Sequence, residues 1–125
     1  VHSQGLDEIR LDAPSSVVEL KAGTISQYEI NPQQFGFAKR DAAQLNALVA
    51  TSTDSSLALI KQSLTDDTSA AADIVSLNAG ASIYVAGVAT SLGNGIAMAQ
   101  DAIATGLANE RFNELVRVTK MMVAT

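Results

Sequence analysis

The order of its patterns assigns this chain to the α+β class, with short strands and a β-hairpin first and about five helices after them. Up to Ile30 the apolar residues follow a strand-like period of two. From Asp41 onward they recur at helical spacing. Composition supports the helical part. The 125 residues are 47% hydrophobic but only 4% aromatic, with no Trp, so the core must be built from Ala, Val, Leu and Ile, which suits closely packed helices.

Ile9 and Leu11 alternate with Arg10 and Asp12, which predicts a strand over Glu8–Leu11, broken by Pro14-Ser15. Ser16–Lys21 and Thr24–Ile30 read as a hairpin about Ala22-Gly23, with Val17, Val18 and Leu20 inward and Glu19 and Lys21 turned away. Asn31-Pro32 ends the pairing, because proline cannot donate to a ladder. Phe35-Gly36-Phe37 reads as an apolar clip that pins the exit loop to the core.

Asp41 is placed to cap a helix carrying Leu45, Leu48 and Val49, and Asp54 to cap the next, with Leu57, Ile60 and Leu64. The Thr65–Ser69 stretch is a polar connector. A long helix then carries Ile74, Leu77, Ala81, Val85 and Val88, and its Ala79-Gly80-Ala81 lets another backbone come close. Ser91 caps a fourth helix bearing Leu92, Ile96, Ala99 and Ile103. The last helix has Phe112, Leu115 and Met122 as its stripe.

Thirteen acidic and eight basic residues give a net charge of −5, which argues against nucleic acid as a partner. Without cysteine there is no disulfide or thiolate chemistry, and His2 alone cannot build a multi-histidine metal centre. No apolar run has the length of a membrane span. The chain opens Val1-His2-Ser3 without Met, which reads as a piece of a longer protein. A Glu8–Leu11 strand would then pair with strands supplied from upstream.

The adjacent acids Asp7 and Glu8, behind Gly5-Leu6, have the sharpest chemical reading. Carboxylates are hard oxygen ligands suited to Mg²⁺, which takes one or two of them plus waters and substrate phosphates. Neighbours on a strand point to opposite faces, so both serve one metal cluster only if the backbone bends, as Gly5 allows. The bland alternative is a pair of solvated charges. Asn78, inside an apolar helix stripe, reads as an amide bonding backbone or a neighbouring helix. Tyr28 and Tyr84 read as core or rim. Gly93-Asn94-Gly95 lacks the spacing of a phosphate loop. Glu110, Arg111, Glu114 and Arg117 form a solvated charged face.

Val1-His2 with Gly5-Leu6-Asp7-Glu8-Ile9 resembles the "VH…GLDE" signature of the anthranilate phosphoribosyltransferases. Tyr28-Glu29-Ile30-Asn31-Pro32 with Phe35-Gly36 is similar to that family's strand and exit, and Leu77-Asn78-Ala79 with Ile83-Tyr84-Val85-Ala86-Gly87 to its "LNAA..LYVAG" helix. Ser91-Leu92 with Gly95-Ile96-Ala97 resembles the helix after it, so the resemblance runs from Val1 to about Lys120. Two positions depart from the pattern: Ala50-Thr51 replaces a frequent Gly-Gly, and Gly80 stands where alanine is usual.

The resemblance implies an α+β fragment, residues 1–125, of the larger α/β, phosphoribosyl pyrophosphate-binding domain. The upstream helical domain and the rest of the sheet would lie outside it. It implies transfer of phosphoribosyl from 5-phosphoribosyl pyrophosphate to anthranilate in tryptophan biosynthesis, by a cytoplasmic homodimer joined through the helical domain. Asp7 and Glu8 would hold Mg²⁺ on the pyrophosphate. The family's glycine-rich pyrophosphate loop, its lysine-histidine-glycine-asparagine segment and its anthranilate-binding arginine do not occur in this sequence, so the piece alone should be inactive. A pyrimidine nucleoside phosphorylase-like relative and a non-catalytic acidic interaction module are the alternatives.

Overall fold

The computed structural model describes residues 1–123. Strands β1 (Ser15–Lys21) and β2 (Thr24–Ile30) form an antiparallel hairpin, in register from Ser15–Ile30 to Lys21–Thr24. Both turn residues have positive φ, Ala22 at 49° and Gly23 at 79°, the two-residue turn whose twist matches the strands it joins. A single 3-10 turn, Pro32–Phe35, follows. Five helices complete the described residues: α1 (Ala42–Asn46), α2 (Thr53–Thr65), α3 (Ala70–Val85), α4 (Leu92–Ala104) and α5 (Leu107–Val123).

The expected strand over Glu8–Leu11 does not form. The segment is irregular, and both Ile9 and Leu11 are buried in the core cluster with Val17, Ile30, Phe37, Leu77 and Ile96. Alternation here marks which side chains go inward, but the backbone is held by side chains instead of a ladder. Strand-like pairing on that side consists, among the described residues, of two isolated bridges, His2–Ser16 and Ser3–Leu6.

The hairpin's inward face also differs from the expected one. Ser15 and Val17 are buried and Glu19 half-buried, whereas Val18 and Leu20 are 64% and 71% exposed. Glu19 and Lys21 share the face of Val17, because strand side chains alternate strictly. Their polar ends meet Tyr84 of α3.

Among the helices, α1 keeps its Asp41 cap, reinforced by Gln44, but ends at Asn46, before Leu48 and Val49. Ser52 caps α2, because Ser55 reaches back to it, and Asp54 falls in the first turn beside the positive end of the helix dipole. Helix α3 stops at Val85, and Gly87 takes φ 74° beyond it, leaving Val85 and Val88 exposed. Ser91 caps α4 as predicted, and Ile96, Ala99 and Ile103 are buried. Helix α5 buries no residue, and its Leu115 and Met122 are 63% and 74% exposed. Phe35 and Phe37 do pin the exit loop, with Phe37 in the core and Phe35 packed against it.

Helices α3 and α4 form the tightest contact. A methyl group added at Gly80 would lie 2.5 Å from the Cα of Ile96, and one at Gly95 would lie 2.2 Å from the carbonyl oxygen of Gly80. Two glycines facing each other bring the backbones together, the close approach that Ala79-Gly80-Ala81 predicts. On the other end of α3, Arg40 ties the exit loop down. Its Nε and Nη2 donate to Asp73 Oδ2 at 2.9 and 2.5 Å, and Nη2 also donates to the carbonyl of Thr68. No described helix is long and apolar enough to cross a membrane.

Candidate functional site

Asp7 and Glu8 sit between two fixed points. On one side, Ser3 and Leu6 exchange backbone hydrogen bonds of 3.0 and 2.9 Å around Gln4-Gly5, whose φ values are both positive, 45° and 89°. This is again the tight turn for which glycine is suited at the second position. Buried Ser3 anchors it by donating from Oγ to the carbonyl of Pro14. On the other side, the N–H of Ile9 donates to Asn78 Oδ1 at 2.9 Å, and Asn78 Nδ2 donates to the carbonyl of Ile9 at 2.9 Å. The backbone bends at Asp7 and Glu8 themselves.

Both acids are exposed, and neither takes a hydrogen bond or ion pair from another described residue. Their oxygens are free for an external ligand. Among the described residues no group of three His, Cys, Asp or Glu could enclose a metal. Two free carboxylates are hard oxygen donors that suit Mg²⁺, which completes its octahedron with water and phosphate oxygens. The donor set therefore fits a magnesium ion that arrives with a phosphate-bearing ligand.

The other residues singled out in the sequence fall elsewhere. His2 is exposed and contributes its backbone to the bridge with Ser16. Gly93-Asn94-Gly95 forms the first turn of α4, where Asn94 N–H meets the Ser91 cap and Gly95 meets α3. Glu114 and Arg117 form an exposed ion pair on α5.

A polar cluster at the hairpin goes beyond the core-or-rim reading of its tyrosines. Tyr84 donates its O–H to Glu19 at 2.6 Å, Tyr28 donates to the same carboxylate at 3.1 Å, and Lys21 donates to the Tyr84 oxygen at 2.9 Å. The Tyr84 hydroxyl, then Tyr28 and the charge of Lys21, hold the Glu19 carboxyl below the usual range. Tyr84 in turn raises Lys21, with a smaller contribution from Glu19. The residues line a cleft of about 560 Å³ between the hairpin and the end of α3. The alternation of β1 carried the signal, since Val17, Glu19 and Lys21 must share a face.

The profile of the family described as "Glycosyl transferase family, a/b domain" matches residues 1–109. The chain is 44% identical over 121 residues to an anthranilate phosphoribosyltransferase of Teredinibacter turnerae, covering 94% of this chain and 35% of that protein. It is 46% identical over 121 residues to one of Hydrogenovibrio crunogenus, covering 96% and 35%. A crystal structure of anthranilate phosphoribosyltransferase from Thermus thermophilus superposes with a TM-score of 0.74 at 32% identity, over 93% of this chain and 34% of that one. The chain thus spans about a third of the length of these relatives, and shares with the Thermus enzyme the architecture of an α/β phosphoribosyltransferase. With the profile running from the first residue through the start of α5, the chain belongs to the glycosyl transferase family, in its a/b domain.

Proposed function

We propose that these residues are the C-terminal part of the larger α/β domain of an anthranilate phosphoribosyltransferase, and that Asp7 and Glu8 hold Mg²⁺ against the pyrophosphate of 5-phosphoribosyl pyrophosphate. The observation that carries the metal role is the free, bent carboxylate pair, held at both ends and tied to nothing between. The identity of the reaction rests on the similarity to the relatives above.

Breaking the anomeric carbon–oxygen bond builds positive charge on the sugar and negative charge on the departing pyrophosphate, as in glycoside cleavage. A bound Mg²⁺ supplies neutralisation of the pyrophosphate charge. The chain's own contribution is binding and placement. Two carboxylates offset the excess charge of the cation, and the turn at Gln4-Gly5 and the anchored Ile9 limit where they can stand. Anthranilate and the sugar would be bound by parts of the enzyme outside these residues, so this piece alone has no turnover. In this reading the intact enzyme is a cytoplasmic homodimer joined through its helical domain.

The test is Asp7→Asn and Glu8→Gln in the intact protein. Both side chains are exposed and free, so folding should be unaffected while the rate falls, and the defect should deepen as Mg²⁺ is lowered. Normal kinetics across Mg²⁺ concentrations would refute the metal role.

A further inference from the structure

We propose that Asn78 is a positioning residue for the acid pair, holding Asp7 and Glu8 where a cation can use both without first ordering the segment. The inference rests on the magnesium reading of these acids and adds to it the residue that sets their place.

The hydrogen bonds of Asn78 are unusual for a helical residue. Its Oδ1 accepts from the Ile9 N–H at 2.9 Å, and its Nδ2 donates both to the Ile9 carbonyl at 2.9 Å and to the Ile74 carbonyl one turn back at 3.0 Å. The amide thus satisfies both backbone groups of the residue directly after the acids, across 69 positions of sequence. Ile9 forms no ladder hydrogen bonds, and the peptide after it has one further, longer bond, from the Arg10 N–H to Ser15 Oγ at 3.3 Å, so the Asn78 pair is the closer hold on its direction. The buried Ile9 side chain fixes depth, but an apolar contact does not fix orientation. A pair of antiparallel hydrogen bonds does, because both must stay near linear.

Asn78 also stands two residues before the close Gly80 crossing with α4. Asparagine is a poor helix former, since its side chain competes for backbone groups. Its place in the middle of α3 is accounted for by the backbone it holds. Outer residues that orient metal ligands typically change metal affinity by about 10–100-fold when they are removed.

The experiment compares Asn78→Leu, which keeps the approximate volume and removes all three bonds, with Asn78→Asp, which keeps an acceptor for Ile9 N–H but cannot donate to its carbonyl. The aspartate variant also covers the case in which the leucine variant fails to fold. Three quantities are read in the intact enzyme: amide hydrogen exchange at Ile9 without metal, the Mg²⁺ concentration at half-saturation of 5-phosphoribosyl pyrophosphate binding by calorimetry, and kcat at saturating Mg²⁺. The expected results are faster exchange at Ile9 and a half-saturating Mg²⁺ concentration raised about tenfold, with kcat largely restored by excess Mg²⁺. A residue that only stabilises the fold would lower the thermal midpoint and leave the Mg²⁺ midpoint in place. Asp7→Asn and Glu8→Gln run alongside. If they shift the Mg²⁺ midpoint and the Asn78 variants do not, the positioning role is overturned and the metal reading stands. If the acid variants shift nothing, the metal reading falls, and this inference with it. Unchanged Ile9 exchange in both Asn78 variants would also overturn it, because the amide would then not be holding the segment.

Discussion

Adding one methyl group at Gly80 tests the crossing on which the helical part is built. In the interior of α3, Gly80→Ala should gain about 1 kcal/mol from helix propensity and reduced unfolded-state freedom. Against this, the new Cβ would lie 2.5 Å from both the Cα and the N of Ile96 and 2.6 Å from its Cγ1. Comfortable contacts between such atoms are about 3.5–4.0 Å, so α3 and α4 must separate by about 1 Å. Two of the three atoms are backbone and cannot rotate away. Overpacking of this kind costs about 1–3 kcal/mol and more when the backbone must move, and the separation also loosens the packing around Leu77 and Ile96. The net expectation is a loss of about 1–2 kcal/mol, read as a fall of about 3–12 °C in the thermal midpoint. Gly95→Ala, aimed at the Gly80 carbonyl oxygen 2.2 Å away, should cost more. The double variant should cost less than the sum, since helices already parted by the first methyl have room for the second. A Gly80→Ala protein that melts at or above the parent temperature would refute the close crossing.

Breaking the Arg40–Asp73 pair, whose side chains are only 15% and 14% exposed, should cost about 2 kcal/mol in chemical denaturation for Arg40→Ala, because Asp73 and the Thr68 carbonyl are both left without it. Ala22→Asn should stabilise by about 1 kcal/mol, since Ala22 sits at φ 49° and asparagine accepts that region more readily; an unchanged denaturation midpoint would argue against the tight hairpin turn. The Arg10 fork holds the Asp12 carboxyl below its ordinary 3.8, so the stability it contributes is complete above that pH and fades as pH falls through the lowered folded value. Arg10→Gln should therefore lower stability slightly at neutral pH and make the loss on acidification shallower, in melts recorded from about pH 6 down to about pH 2. Tyr84→Phe removes the hydroxyl that Glu19 and Lys21 share, and should speed amide exchange in the hairpin before it changes the global melt.

Local chemistry carried much of the fold into the sequence. The hairpin boundaries, the Asp41 and Ser91 caps, the Phe35–Phe37 clip and the close approach at Gly80 all depend on residues near each other in the chain, and the structure reproduces them. The Glu8–Leu11 segment departs from its pattern for a physical reason. Alternating burial is shared by a strand and by an irregular segment whose side chains are pinned, and only the distant Asn78 distinguishes them. Val17 points inward as expected, but from Val18 to Lys21 the faces are reversed, because Val18 and Leu20 outweigh Glu19 and Lys21 in hydropathy while Tyr84 offers the polar pair a partner 63 and 65 residues away. The stripe on α5 is real in spacing, yet most of it faces away from the described core. For the candidate site, spacing alone placed two acids behind a glycine. The bend and its two anchors are tertiary facts, and the family resemblance supplied the metal and the substrate.

Helix α3 carries three attachments within seven residues: Asn78 to the acid segment, Gly80 to α4 and Tyr84 to the hairpin. They differ in depth. The ties through Tyr84 and Asn78 are both partly buried, with the Lys21 end of the first at the surface, while Gly80 is buried. Proteins open in units ranked by such protection, from fraying surface elements to the whole core. The turn end of the hairpin, tied through Tyr84, can therefore open before the crossing does, while the first residues of β1 stay bonded to the acid segment through the His2–Ser16 bridge and the Arg10–Ser15 hydrogen bond. Parting α3 from α4 would release both together. How long the acid segment keeps its place is then tied to the lifetime of the helix crossing, and only the turn end of the hairpin is free to open ahead of it.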